Sequence, residues 1–112
     1  MKRFATSALP LVLLLATSLA RAGGLVSNVR ITRIEVVAPN TFFAFFASPA
    51  TTPASCVSNP NGLVLDSTTA TGKSLMAIFL TAYAQGVNVT AGGTGLCDIY
   101  SGYETVSYVY TM

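Results

Sequence analysis

The chain has no His and no Trp, and only 9% of its 112 residues are charged. Without His it lacks the usual general base, the commonest zinc ligand and the side chain that titrates near neutral pH. Six basic and four acidic residues are too few for the clustered Lys and Arg that mark a nucleic-acid footprint. A length of 112 residues fits a single domain, and no repeat or charge block divides it. Hydrophobic residues make up 52% of the chain, and two Cys are present.

Much of that apolar content is at the start. Residues 1–22 read MKRFATSALPLVLLLATSLARA. Lys2 and Arg3 precede an apolar stretch from Ala8 to Ala20, and Ala20-Arg21-Ala22 supplies small residues at an export peptidase site. This is the three-part pattern of a secretory signal peptide, with cleavage predicted after Ala22. The apolar stretch is too short for a membrane span, which needs about 20 residues. Residues 23–112 are then the mature domain, with no transmembrane segment, in the periplasm or secreted. It keeps Arg30, Arg33 and Lys73 against Glu35, Asp66, Asp98 and Glu104, a formal charge of −1. The basic balance of the whole chain belongs to the leader and carries no information about partners.

Cys56 and Cys97 in an exported chain predict a disulfide. Their spacing fits no zinc pattern, and a Cys nucleophile would lack its His. No metal or cofactor site is expected.

Leu25 to Val37 reads as one long strand whose apolar phase flips near Thr32-Arg33, so a bulge should bend it between two sheets. Thr41 to Ala47 (TFFAFFA) is apolar on both faces, which predicts a strand covered on both sides by core, helix or another subunit. A Pro-rich loop follows over residues 48–62, then a short strand at Leu63-Val64-Leu65. Ser74 to Gln85 predicts a helix with Thr71 as N-cap and Gly86 at its end. Its apolar arc spans about 200°, wider than one packing face needs, which suits deep burial or contact with a neighbouring subunit. Val87 to Ala91 and Tyr103 to Tyr110 predict two more strands, with Gly92 to Gly95 as the turn after the first. In the last strand Val106, Tyr108 and Tyr110 share a face. The order β-β-β-α-β-β is that of an OB-like five-stranded barrel, mainly β with one helix.

Few motifs suggest chemistry. Gly72-Lys73-Ser74 has the tail of a P-loop, but Ser67 stands where the first Gly belongs, so it reads as a helix start. Asn88-Val89-Thr90 is a glycosylation sequon that matters only in a eukaryotic pathway, and the leader reads as bacterial. Asp98, Tyr100, Tyr103 and Glu104 form the one cluster of acids and aromatics. Two carboxylates can serve glycoside hydrolysis, but Tyr faces with acid acceptors equally suit sugar binding. These four residues are the candidate binding site, and no catalytic residue is assigned.

The text LTAYAQG at Leu80 to Gly86, VNV at Val87 to Val89, a Gly turn, Cys97 and an aromatic strand resemble small exported bacterial OB-fold-like proteins of unassigned function. More distantly the arrangement is similar to the B subunit of subtilase-type cytotoxins. That resemblance implies an OB-type fold, assembly into rings and glycan binding, and it transfers no contact residue. The expectation is therefore an exported, disulfide-linked, non-catalytic binding module for a glycan or protein receptor, with homo-oligomer formation open. A monomeric periplasmic or envelope protein, or an inhibitor of a protein partner, is the alternative.

Overall fold

A computed structural model describes residues 23–111, and the predicted leader over residues 1–22 lies outside them. Six strands and one helix follow in order: β1 (Leu25–Val29), β2 (Ile31–Val37), β3 (Thr41–Phe46), β4 (Gly62–Asp66), α1 (Ala70–Gln85), β5 (Val89–Gly93) and β6 (Glu104–Thr111). The strands form one mixed sheet in the order β1-β5-β6-β4-β3-β2. Its pairs are antiparallel except β4 with β6. The two edge strands, β1 and β2, are separated in the chain by Arg30 alone. The sheet therefore curls into a half-barrel whose two ends meet at one residue.

The strands number six where five were expected, because the long first strand is broken at Arg30. The phase flip in Leu25 to Val37 foretold the reason. The register of β1 on β5 shifts between Val26 and Val29, and that of β2 on β3 shifts between Ile31 and Arg33. Asn28 sits at φ 53°, in the left-handed region that Asn tolerates better than most residues. The chain turns there and serves opposite ends of the sheet.

Phe42, Ala44 and Phe46 of β3 face inward with Leu63 and Leu65 of β4 and Val106 of β6. Helix α1 closes this core with Phe79 and Ala82, both fully buried. The Phe79 ring lies 6.2 Å from Phe42 and 6.1 Å from Phe46. Burying one such ring contributes on the order of 2 kcal/mol.

The helix begins earlier than its apolar run suggested, at Ala70, and its N-cap is Thr69 and not Thr71. Thr69 has extended backbone, and its Oγ1 accepts the Gly72 amide at 2.8 Å, satisfying one of the free donors of the first turn. Gly86, at φ 69°, ends the helix as expected.

The expected Gly turn is also corrected: Gly92 and Gly93 belong to β5. A Cβ on Gly93 would overlap the Glu104 side chain, so the glycine marks close approach within a strand. Register slips here too, Gly92 facing Tyr108 and Gly93 facing Val106. The extra residue, Ser107, reverses the faces of β6. Val106 and Val109 pack on the core, whereas Tyr108 and Tyr110 are exposed and stacked at 6.3 Å. They do not share the face of Val106, as strict alternation had implied.

Cys56 and Cys97 form the expected disulfide, with Cα atoms 6.1 Å apart. It ties the Pro-rich loop to the segment between β5 and β6. Among the described residues, no helix is long and apolar enough to cross a membrane.

Candidate functional site

Strand alternation turns Phe43 and Phe45 away from the core that Phe42, Ala44 and Phe46 fill. Left bare, this outer face would be an aggregation hazard. A tight turn covers it. Tyr103 donates its amide to the Tyr100 carbonyl at 3.2 Å, and Gly102 between them has φ 88°, the left-handed value that favours glycine in a turn. The Gly102 carbonyl also accepts the amides of Ser58 and Asn59, both at 3.0 Å, which fixes the turn against the disulfide loop.

The turn sets both tyrosine rings against the strand. Tyr103 stands edge-on to Phe43 at 4.9 Å and to Phe45 at 6.0 Å, and Tyr100 meets Phe43 at 5.0 Å. Phe43 is thereby buried, while Tyr100 keeps 42% of its surface exposed. On the neighbouring strand the Arg33 guanidinium lies 4.1 Å from the centre of the Phe45 ring and 3.5 Å from Glu35. Such edge and cation contacts are worth roughly 1 kcal/mol each. The result is a surface patch of ring faces, phenol hydroxyls and one guanidinium.

The structure brings Tyr100 and Tyr103 together, with ring centres 5.9 Å apart. Asp98 is exposed on the same connecting segment and accepts the Thr105 hydroxyl at 2.6 Å. Glu104 goes the other way, because successive residues of a strand face opposite sides. It is 2% exposed. Its Oε2 accepts amides from Gly95 at 2.7 Å and Gly24 at 3.0 Å, and its Oε1 accepts that of Ala54 at 3.3 Å. Three chain segments converge on this carboxylate, which is shielded from any ligand at the tyrosine patch. Arg33 and Phe45 complete the patch, with the buried Phe43 beneath it, and none of the three was singled out as a site residue from the sequence. The doubly apolar β3 was the available signal, but its cover comes from residues more than 50 positions later.

A second depression, of about 250 Å³, lies where the start of α1 meets β6, lined by Leu65, Thr71, Leu75, Ile99, Thr105 and Val106. It is smaller than the usual small-molecule site. Beside it, Asp66 accepts both the amide and the hydroxyl of Thr68, at 2.8 and 2.6 Å. The hydroxyl bond first, then the amide bond, holds the Asp66 carboxyl below its ordinary value. Among the described residues, no group of His, Cys, Asp or Glu is arranged to hold a metal ion. No known protein family, curated protein or solved structure matches the chain.

Proposed function

We propose that this chain is an exported, non-catalytic binding module of OB-like architecture, released from its leader after Ala22 and acting in the periplasm or outside the cell. Counting β1 and β2 as one bent strand turns six strands into the five of an OB-like barrel, with α1 between the third and fourth. The disulfide suits an oxidising compartment. The observation that carries the binding role is the patch of Tyr100, Tyr103, Phe45 and Arg33. An apolar ring with a polar tip suits a pyranose, whose C–H face stacks on an aromatic ring while its hydroxyls meet phenol and guanidinium groups. Asp98 adds an exposed acceptor on the adjoining segment. A glycan is the ligand we propose, as in the cytotoxin B subunits that the chain resembles.

A glycan-array screen of the exported protein tests this, with Tyr100→Ala as the partner variant. Tyr100 is the more exposed tyrosine, so its removal should spare the fold and lower glycan affinity at least about tenfold, a loss of ~1.4 kcal/mol. No glycan bound by the wild type, or equal binding by the variant, overturns it.

One observation favours a second reading, contact with a protein. Ile78, Leu80 and Tyr83 on the outer side of α1 are each at least 40% exposed. In that reading the chain is an envelope protein or inhibitor, or it assembles with itself. Light scattering of the purified protein separates self-assembly from a monomer that needs another partner.

A further inference from the structure

The buried Glu104 carboxylate has no role in the tyrosine patch, and its surroundings point to a different ligand. We infer that Glu104 is a receptor site for an α-ammonium group, and that the group it takes is the amino terminus of this chain's own Gly23. The inference rests on the cleavage after Ala22 proposed above.

Every hydrogen bond described above for Glu104 comes from a neutral backbone amide: Gly24, Ala54 and Gly95. Among the described residues no Lys or Arg is paired with it. Arg33 pairs with Glu35, and Lys73 is exposed on α1. A buried carboxylate is costly unless a counter-charge joins such bonds. The missing cation is one that only processing can create. Hydrolysis of the Ala22–Gly23 peptide bond consumes one water and leaves a carboxylate on Ala22 and an amine on Gly23. That amine takes a proton at neutral pH, since α-amino groups titrate at about 8.

Geometry brings the new charge close to the carboxylate. A Cβ built on Gly23 falls 2.5 Å from Glu104 Oε2. With ordinary bond lengths, the Gly23 nitrogen is then no more than about 5 Å from that oxygen. The next residue already donates its amide to both carboxylate oxygens, at 3.2 and 3.0 Å, and its carbonyl accepts the Gly93 amide at 2.9 Å. Gly23 is thus held beside Glu104 from its C-terminal side. The same Cβ would overlap the Gly93 carbonyl, so a side chain at position 23 is excluded and a second acceptor lies close by. An ammonium group has three donors, enough for Oε2 and the Gly93 carbonyl together. Cleavage therefore completes the knot that joins the chain start, the disulfide loop and the β5–β6 turn.

The test uses the full precursor, expressed with its leader and carrying Lys73→Arg. After removal of residues 1–22, the Gly23 α-amine is then the sole amine. The mass of the exported product fixes its first residue, and its amine is acylated in native buffer and in denaturant. A product that starts at Gly23, with acylation slowed at least about tenfold by folding, and with that protection lost in Glu104→Gln, supports the pairing. A product that starts at any other residue, the uncleaved precursor included, overturns the cleavage site and the pairing together. A Gly23 start with an unprotected amine, or with protection unchanged in Glu104→Gln, overturns the pairing alone. Should Glu104→Gln fail to fold, the Lys73→Arg protein is acetylated in denaturant and refolded. A lowered denaturation midpoint is then expected, and an unchanged one overturns the pairing.

Discussion

Phe43 and Phe45 on β3, and Ile78, Leu80 and Tyr83 on α1, are all large apolar groups that point away from the core, yet among the described residues only the first pair is roofed. Over β3 the roof is the Tyr100–Tyr103 turn, locked to the Cys56 loop by the disulfide and by the Gly102 carbonyl. Over α1 no described residue forms one, and all three side chains are at least 40% exposed. Surplus apolar surface in a sequence is thus ambiguous. It can be absorbed by a distant loop of the same chain, or be left on the surface, where it suits contact with another molecule.

The widest test of the contrast is within α1 itself. Phe79→Ala removes the ring that packs on Phe42 and Phe46 and should lower stability by about 3–5 kcal/mol. Leu80→Ala, one residue on, should cost less than about 0.5 kcal/mol. Urea denaturation measures both. A comparable loss at Leu80 would mean that the outer side of α1 is covered in solution, by self-association or otherwise.

Next in size is the roof over β3. Replacing Cys56 and Cys97 by Ser opens a loop with a sequence separation of 41 and should cost about 2–4 kcal/mol. Tyrosine fluorescence, uncomplicated because the chain has no Trp, should change as Tyr100 and Tyr103 leave Phe43. The same stability loss with no spectral change would show that the turn holds the rings without the disulfide.

What could be read from the sequence follows the range of the interactions. The bend in the first strand was visible because a bulge shifts local alternation, and the broken register at Ile31/Arg33 falls where the phase flips. The disulfide was visible from compartment and count. By contrast, the roof over Phe43 and the burial of Glu104 depend on which side of the sheet a loop crosses. No local period encodes that. Tyr103 and Glu104 looked like one cluster because they are adjacent in sequence, and a strand separates adjacent residues onto opposite faces. The bulge at Ser107 defeated strict alternation in β6 for a related reason. Only pairing with β5 reveals an extra residue. Gly92-Gly93 resembled a turn, although its glycines serve close approach within a strand.

Gly93 is the site of a smaller, more local effect. Gly93→Ala places a methyl group where the Glu104 side chain lies and should cost about 1–3 kcal/mol through overpacking. The disturbance should spread to the Gly24, Ala54 and Gly95 amides, whose hydrogen exchange should accelerate together. Amides of the Tyr100–Tyr103 turn should be affected less, since the Tyr103 amide bonds within the turn, to the Tyr100 carbonyl, and not to Glu104. Uniform acceleration across both sets would erase the distinction between the buried knot and the surface patch.

The smallest effect concerns how α1 is held, given that Ile78, Leu80 and Tyr83 on its outer side are partly exposed. The helix relies on its inner side and on its first turn, where Asp66 accepts two bonds from Thr68 just before the Thr69 cap. Those bonds favour the ionised carboxylate and lower its folded value relative to the unfolded chain. A depressed carboxyl contributes stability that is fully present above the unfolded value, near 4, and is lost as pH falls through the lower folded value. Asp66→Asn keeps an acceptor oxygen for Thr68 but carries no charge, so it should remove this dependence and leave the turn formed. Denaturation midpoints of the two proteins should differ modestly at neutral pH and converge as pH falls below about 4. A constant difference across that range would show that the Asp66 charge does not stabilise the first turn, and that α1 is held by Phe79 and its neighbours together with the Thr69 cap.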